Sequence, residues 1–128
     1  MSAERLARRV AAIADEKQAS DIVVLDMRGL VGYTDFLVIC TARNERQAKA
    51  IHDEVHASLK RDRLLPEHVE GERAASWVLM DYLDCVLHVF VPEARDYYRL
   101  EALWGEAPRL DLDLEGAAPH AAAGGAQA

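Results

Sequence analysis

The sequence predicts a small, single α/β domain in which helices flank a mixed sheet of about five strands. Its 128 residues suffice for one hydrophobic core but not for two. With 51% hydrophobic and 29% charged residues, the composition is that of a globular protein. Segments with helical spacing alternate with short apolar runs in the order helix, strand, strand, helix, two strands, helix.

The first half of the chain contains two predicted helices and two predicted strands. Ser2 is a suitable N-cap for the first helix, and Asn44 is a suitable N-cap for the second. The apolar residues of both helices recur at helical spacing, as expected for helices that bury one face. Between them, residues 21–26 and 34–41 form short runs typical of strands. The second run is apolar on both faces, which predicts a central position in the sheet.

The second half contains a predicted hairpin and a closing helix. Residues 76–81 and 85–91 flank a tight turn, and Pro92 stands where a helix begins. The hairpin must be antiparallel, whereas the connection through the long helix permits a parallel crossover, so the sheet is expected to be mixed. We therefore assign the domain to residues 1–108. Residues 109–128 are rich in Ala, Gly and acidic residues and are predicted to form a disordered tail.

The charge disfavours a direct nucleic-acid reader. Fifteen Lys and Arg residues against 22 Asp and Glu residues give a net charge of −7, whereas binding to phosphates requires a surplus of cations. An acidic surface suits a basic protein partner. The chain has no apolar run long enough for a membrane span and no secretory signal, which predicts a cytoplasmic protein. Cys40 and Cys85 lie in apolar runs and are expected to be buried free thiols.

Candidate sites for a metal or for catalysis are weak. His52 and His56 share a helix face, but the zincin pattern needs Glu where this chain has Asp53, and no third ligand follows. The Asp111-x-Asp113 pair lies in the predicted tail. The glycines at 29 and 32 do not form a phosphate-binding loop. The sequence therefore predicts no catalytic residue, no cofactor and no metal.

Alternation along the hairpin sorts its side chains onto two faces. The face of Val78, Met80, Leu87 and Val89 is apolar and suits packing against helices. The opposite face mixes aromatic, polar and acidic side chains: Trp77, Leu79, Asp81, Asp84, Val86, His88 and Phe90. Trp is enriched at interface hot spots, so this face is either an interaction surface or the cap of a core. Periodicity alone favours neither interpretation.

The same residues resemble the ribosomal silencing factor (Iojap) family. The clearest match is Glu70-Gly71 followed by residues 77–90, with the specific combination W-x-L-x-D-Y-x-D-x-x-x-H. Matching runs cover residues 1 to about 105. One departure is Leu83, where the family usually has Gly. If the backbone φ angle is positive there, Leu costs about 1–2 kcal/mol of strain.

The resemblance implies a nucleotidyltransferase-like fold without the catalytic site, and therefore a protein that is not an enzyme. It further implies a homodimer that binds the large ribosomal subunit through ribosomal protein L-fourteen and sterically blocks joining of the small subunit, which lowers translation when nutrients are short. We expect Trp77, Asp81, Tyr82 and His88 to contribute to the partner surface or to its support. Tyr82 can do so only if the turn exposes it.

Two alternatives belong to other functional classes. A residual nucleotide-binding or nucleotidyltransferase-like enzyme would show a higher melting temperature with ATP or CTP and Mg²⁺. A general protein-interaction adaptor would bind a main partner other than the ribosome.

Overall fold

The structure, a computed structural model, describes residues 1–119. Its elements follow the predicted order with one additional strand and a final short helix. They are α1 (Ala3–Glu16), β1 (Ser20–Asp26), β2 (Phe36–Thr41), α2 (Glu45–Arg61), β3 (His68–Glu70), β4 (Trp77–Asp81), β5 (Cys85–Phe90), α3 (Pro92–Tyr98) and α4 (Leu100–Leu103).

The five strands form one mixed sheet in the order β1-β2-β5-β4-β3. Strand β2 runs parallel to β5, while the other neighbouring pairs are antiparallel. This confirms the predicted fold class and the interior position of β2, all six residues of which are buried. Strand β3 was not located from the sequence, because its three residues are too short to show an alternating pattern.

Helices α1 and α2 cover one face of the sheet and enclose the main core. The predicted caps are confirmed: Ser2 Oγ accepts a hydrogen bond from the Arg5 backbone N–H at 3.2 Å. Asn44 Oδ1 accepts one from the Gln47 N–H at 2.9 Å. The core between these helices and the sheet includes fully buried side chains from both layers: Val10, Val24, Phe36, Val38, Ile51, Val55, Leu59, Val78, Met80, Leu87 and Val89.

The other face of the sheet is only partly covered. A smaller apolar cluster there joins β1, β2 and β5 to α3, α4 and Trp104. Phe90 is fully buried in it, whereas Trp77 and Leu79 on β4 remain half-buried. The hairpin faces therefore sort as alternation predicted, and the incompletely covered face is the one that carries Trp77.

The chain after α4 returns to the edge of the sheet, which differs from the predicted disordered tail over residues 109–119. Residues 108–118, here named the C-terminal strap, lie along β1. The backbone of the strap is joined to that of Ile22, Val24 and Asp26 by four hydrogen bonds of 2.8–2.9 Å. Leu110, Leu112 and Leu114 pack against the main core. The tail was predicted to be disordered from its average composition, which does not reveal that these leucines alternate. Strand β1 lies at the edge of the sheet, so its unpaired backbone groups are available for hydrogen bonds with the strap. The rest of the predicted tail lies outside the described residues.

Gly116 is the tightest point of the strap, and its replacement by Ala is expected to destabilise the protein. A Cβ atom at this position would lie 2.3 Å from the Ala19 carbonyl oxygen and 2.9 Å from Asp15 Oδ1. Asp15 Oδ1 also accepts a hydrogen bond from the Gly116 N–H at 2.7 Å. The strap would have to move, and we expect the free energy of unfolding to fall by about 1–3 kcal/mol in denaturant melts.

The matched control is Gly105→Ala. At Gly105 the nearest atom to an added Cβ is the Ala102 carbonyl oxygen at 3.4 Å, which is ordinary contact. We expect a change within about 0.5 kcal/mol. Equal effects of the two substitutions would show that the strap contributes nothing to stability.

Candidate interaction surface

The half-covered sheet face carries a group of packed aromatic side chains around Trp77. In the β4–β5 register Trp77 lies opposite Phe90, and Leu79 lies opposite His88. The Trp77 ring centroid is 5.1 Å from that of Phe90 and 4.3 Å from that of Tyr98 on α3. We call these five residues the Trp77 patch. They are brought together because β4, β5 and α3 meet on this face.

Burial differs sharply within the patch. Phe90 is fully buried and His88 is 8% exposed, whereas Tyr98 is 46% exposed. Trp77 and Leu79 are half-buried. The core interpretation therefore holds for Phe90, whereas Trp77 rests on that core and is half-buried, so an interaction surface around Trp77 stays a prediction. A supported, partly exposed Trp is typical of interface hot spots.

His88 is held by Trp77 and not by an acid. The Trp77 indole Nε1–H donates to His88 Nδ1 at 3.0 Å. Burial lowers the pKa of His88 to about 4, so the imidazole is neutral at neutral pH. Asp81, which we considered as a partner for His88, instead accepts the Leu83 backbone N–H through Oδ1 at 2.8 Å. Asp81 is half-buried at the turn end of the patch face.

Tyr82 does not reach the candidate surface. Its side chain is 7% exposed and packs in the main core on the helix-covered face. Its buried hydroxyl group has no hydrogen-bond partner among residues 1–119, and burial raises the pKa of the phenol to about 12. The Tyr82 N–H still donates to the Cys85 carbonyl at 2.9 Å. Since the strand pairing continues through residue 82, the turn does not expose Tyr82, so of its two expected roles a direct partner contact is excluded and support of the surface stays a prediction.

The hairpin turn carries the backbone strain that the sequence suggested. Leu83 has φ = +71°, a conformation that costs a branched L-residue about 1–2 kcal/mol. Its side chain is 55% exposed. The turn therefore keeps the shape that glycine would favour, but it presents an apolar side chain at its tip.

Three exposed tyrosines near this face were not assigned from the sequence. Tyr98 packs on Trp77, and Tyr97, 79% exposed, makes an edge contact with Tyr98 at 5.0 Å between centroids. Tyr33 is 57% exposed. Its pKa is raised by partial burial and by the charge of Asp81. The adjacent Tyr97 and Tyr98 could have indicated an interaction surface from the sequence alone, because neighbouring exposed aromatic residues are uncommon on a helix that has no binding partner.

The other candidate sites do not gather into a reactive centre. The His52 and His56 rings stack with centroids 6.0 Å apart, and His52 Nδ1 lies 2.9 Å from Asp53 Oδ1. Within residues 1–119, no three His, Cys, Asp or Glu side chains are grouped as a metal site would require. Cys40 and Cys85 are free and buried, as predicted. Burial raises the pKa of both thiols, that of Cys40 to about 12. In the same residues no helix combines the length and apolar character needed to cross a membrane.

Comparison with known proteins gives consistent results. The family model described as "Ribosomal silencing factor during starvation" matches residues 1–128. The ribosomal silencing factor RsfS of Bacillus subtilis is 39% identical over 114 residues, covering 89% of this chain and 97% of the relative. The chloroplastic protein Iojap of Arabidopsis thaliana is 38% identical over 121 residues, and the match spans 48% of that longer protein.

Solved structures agree with the sequence comparison. A crystal structure of a Chromobacterium violaceum protein superposes with a TM-score of 0.80 at 30% identity, covering 93% of this chain and 98% of the other. A Bacillus halodurans crystal structure superposes with a TM-score of 0.72 at 36% identity, covering 81% and 95% of the two chains. Motif, fold and full-length match lead to one conclusion: this chain belongs to the ribosomal silencing factor family.

Proposed function

We propose that this protein represses translation by binding the large ribosomal subunit through ribosomal protein L-fourteen, which prevents the small subunit from joining. In this role it lowers translation when nutrients are limiting. The observation that carries the proposal is the Trp77 patch, a supported aromatic surface on a member of the ribosomal silencing factor family. Its central Trp is partly open to solvent.

Charge supports a basic partner. The chain carries a net charge of −7, and ribosomal proteins are in general basic, so long-range attraction favours their encounter. Asp81 lies at the turn end of the patch face, on β4. We propose that Trp77, His88 and Tyr98 form the contact surface with Asp81 at its rim, while Tyr82 supports the hairpin from behind.

A steric mechanism needs only tight binding in the correct place. A bound domain of this size that occupies an intersubunit contact excludes the small subunit by volume, without a chemical step. We therefore propose a protein that is not an enzyme, uses no cofactor and acts in the cytoplasm. We further propose that it forms a homodimer and binds neither DNA nor membranes.

Co-sedimentation tests the proposal directly. The purified protein is incubated with separated small subunits, with large subunits, or with joined ribosomes. We expect it to pellet with free large subunits only, and to prevent joining when it is added before the small subunit. A protein that does not pellet with large subunits at moderate salt would contradict the proposal. A rise in melting temperature with ATP or CTP and Mg²⁺ would then support the nucleotide-binding alternative.

Trp77→Ala is expected to weaken binding to the large subunit at least tenfold while the fold stays intact. Removing the indole deletes the partly exposed centre of the patch and its contacts with Phe90 and Tyr98. Truncation of an aromatic anchor typically costs at least 1–2 kcal/mol of binding free energy. Affinity for large subunits measures the effect, and a thermal melt reports on the fold.

Arg46→Ala is the control variant for this experiment. Arg46 is exposed on α2, which covers the opposite face of the sheet, so its loss is expected to leave affinity within about twofold. Normal binding by Trp77→Ala together with a lower melting temperature would assign Trp77 to the core alone.

A further inference from the structure

We propose that His88 is the positioning residue of the Trp77 patch: it fixes the Trp77 indole and presents its own Nε2–H to a carbonyl oxygen of the partner. The proposal rests on the proposed function, because the partner is the one that binds this patch. Beyond that function, the proposal specifies which chemical group of the partner lies over the centre of the Trp77 patch.

The hydrogen bond between Trp77 and His88 determines the state of both rings. An indole N–H can only donate, so His88 Nδ1, at 3.0 Å from Trp77 Nε1, must be the unprotonated acceptor. In the neutral imidazole the proton then lies on Nε2. The Trp77 ring is also stacked against Phe90 and packed against Tyr98. An indole held in this way loses little conformational freedom when a partner binds.

The Nε2–H of His88 lacks an acceptor within the part of the chain that the structure describes. Among residues 1–119, the only hydrogen bond of the His88 side chain is the one to Trp77. The residues beside His88 in the sheet are Ile39 on β2 and Leu79 on β4, whose side chains are apolar. His88 retains 8% exposure, and within residues 1–119 its Nε2 is not one of the fully buried polar side-chain atoms without a partner, so the unused donor is still accessible. A donor in such an apolar surrounding must be satisfied when the patch is covered, or binding is weakened.

An acceptor oxygen is therefore required opposite His88. A Lys or Arg side chain has no acceptor and would bring a second donor to this point. A carboxylate would be repelled by the net charge of −7. A backbone or amide carbonyl oxygen meets both conditions. The basic groups of the partner are then expected at the rim near Asp81 and not over the centre of the patch.

Two substitutions separate the two nitrogens of the ring. In His88→Asn the amide oxygen can take the position of Nδ1, which keeps the acceptor for Trp77 but removes the outer donor. In His88→Gln the amide N–H₂ can reach the position of Nε2, which keeps the donor but removes the acceptor. His88→Phe retains an aromatic ring and removes both functions. The chain contains two Trp residues, so a Trp104→Phe background leaves one indole signal for NMR.

The expected results differ between the variants. Hydrogen exchange of the Trp77 Nε1–H should be slow in the wild type and in His88→Asn, and fast in His88→Gln and His88→Phe. Affinity for the large ribosomal subunit should fall about tenfold in His88→Asn and in His88→Gln, and further in His88→Phe. Thermal melts identify any variant that does not fold.

Each unexpected result has a definite meaning. Wild-type affinity in His88→Phe, or an equally fast exchange of the indole proton in wild type and His88→Phe, would overturn the proposal. If the wild-type protein does not bind large subunits, the proposed function fails and with it the carbonyl contact. The exchange rates would still decide whether His88 fixes Trp77.

Discussion

Arg95→Met is expected to lower the free energy of unfolding by about 3 kcal/mol, which is one of the two largest effects we predict for a single side chain. The Arg95 side chain is 9% exposed, although it carries a full charge. Its Nη1 donates to the Asp21 carbonyl oxygen at 2.7 Å and to Thr41 Oγ1 at 2.8 Å. Its Nε donates to Glu101 Oε2 at 2.9 Å.

These three bonds join four elements at one point. Asp21 and Thr41 belong to β1 and β2, Arg95 itself to α3, and Glu101 to α4. Methionine retains much of the length and volume of Arg95 but leaves all three acceptors without their donor. The cost is smaller than for a fully buried ion pair, because the Glu101 side chain is 30% exposed and can be rehydrated.

Denaturant melts measure the loss, with Arg99→Met as the matched control. Arg99 is exposed and follows directly after α3, and its side chain makes no hydrogen bond or ion pair within residues 1–119. Its replacement is expected to change stability by less than about 0.5 kcal/mol. Because α3 also carries Tyr98 to Trp77, Arg95→Met should weaken binding to the large subunit as well. Equal melts of the two variants would show that Arg95 does not join these elements.

The sequence predicted those parts of the fold that depend on local periodicity. The two faces of the hairpin were assigned correctly because side chains alternate along β4 and β5 whatever the length of the turn. The same rule placed Tyr82 on the packing face. Its assignment to the partner surface needed a turn that breaks the strand pairing, whereas the pairing in fact continues to Cys85.

Contacts between residues that are far apart in the sequence could not be predicted from local periodicity. Arg95 lies on a helix of seven residues, and nothing in that segment indicates that Thr41 and Asp21 will lie beside it. The strap was missed for a related reason. Its leucines could be recognised as core residues only if β1 were known to be an edge strand beside them. The order of the strands in the sheet cannot be derived from composition.

The candidate surface was predicted in part. Trp77, Asp81 and His88 share the face that alternation assigned to them, with Trp77 and His88 in direct contact. Tyr98 reaches the patch from α3, and the Trp77–His88 hydrogen bond depends on a register that the sequence does not specify. The alternation of side chains thus predicted which of these residues share a face, while tertiary packing determined which of them are exposed.

Acidification from pH 6.5 to pH 4 is expected to destabilise the protein by about 3 kcal/mol through His88 alone. Burial lowers the pKa of His88 from 6.5 to about 4. Between these two values the unfolded chain binds a proton that the folded chain does not, so stability falls as the pH decreases. The slope is expected to approach about 1.4 kcal/mol per pH unit in the middle of this interval and to be about half of that at its two ends.

The groups around His88 do not oppose this shift. Its neighbours in the sheet are the apolar Ile39 and Leu79, and burial is the cause that lowers its pKa. His68 acts in the opposite direction, because the hydrogen bond with Glu70 raises its pKa and the folded state gains stability from it at low pH. His68 is exposed, however, and surface pairs of this kind contribute little.

Denaturant melts at several pH values between 6.5 and 4.5 test the prediction. In His88→Phe the slope should largely disappear, whereas in His68→Gln it should remain or become slightly steeper. The same slope in wild type and His88→Phe would show that another group is responsible. Folded His88 takes up its proton, necessarily on Nδ1, only near pH 4, so the Trp77 hydrogen bond is expected to persist while stability falls and to be lost where the fall levels off. A titration of the Trp77 indole signal therefore measures the folded-state pKa of His88, and with it the pH at the lower end of the stability change.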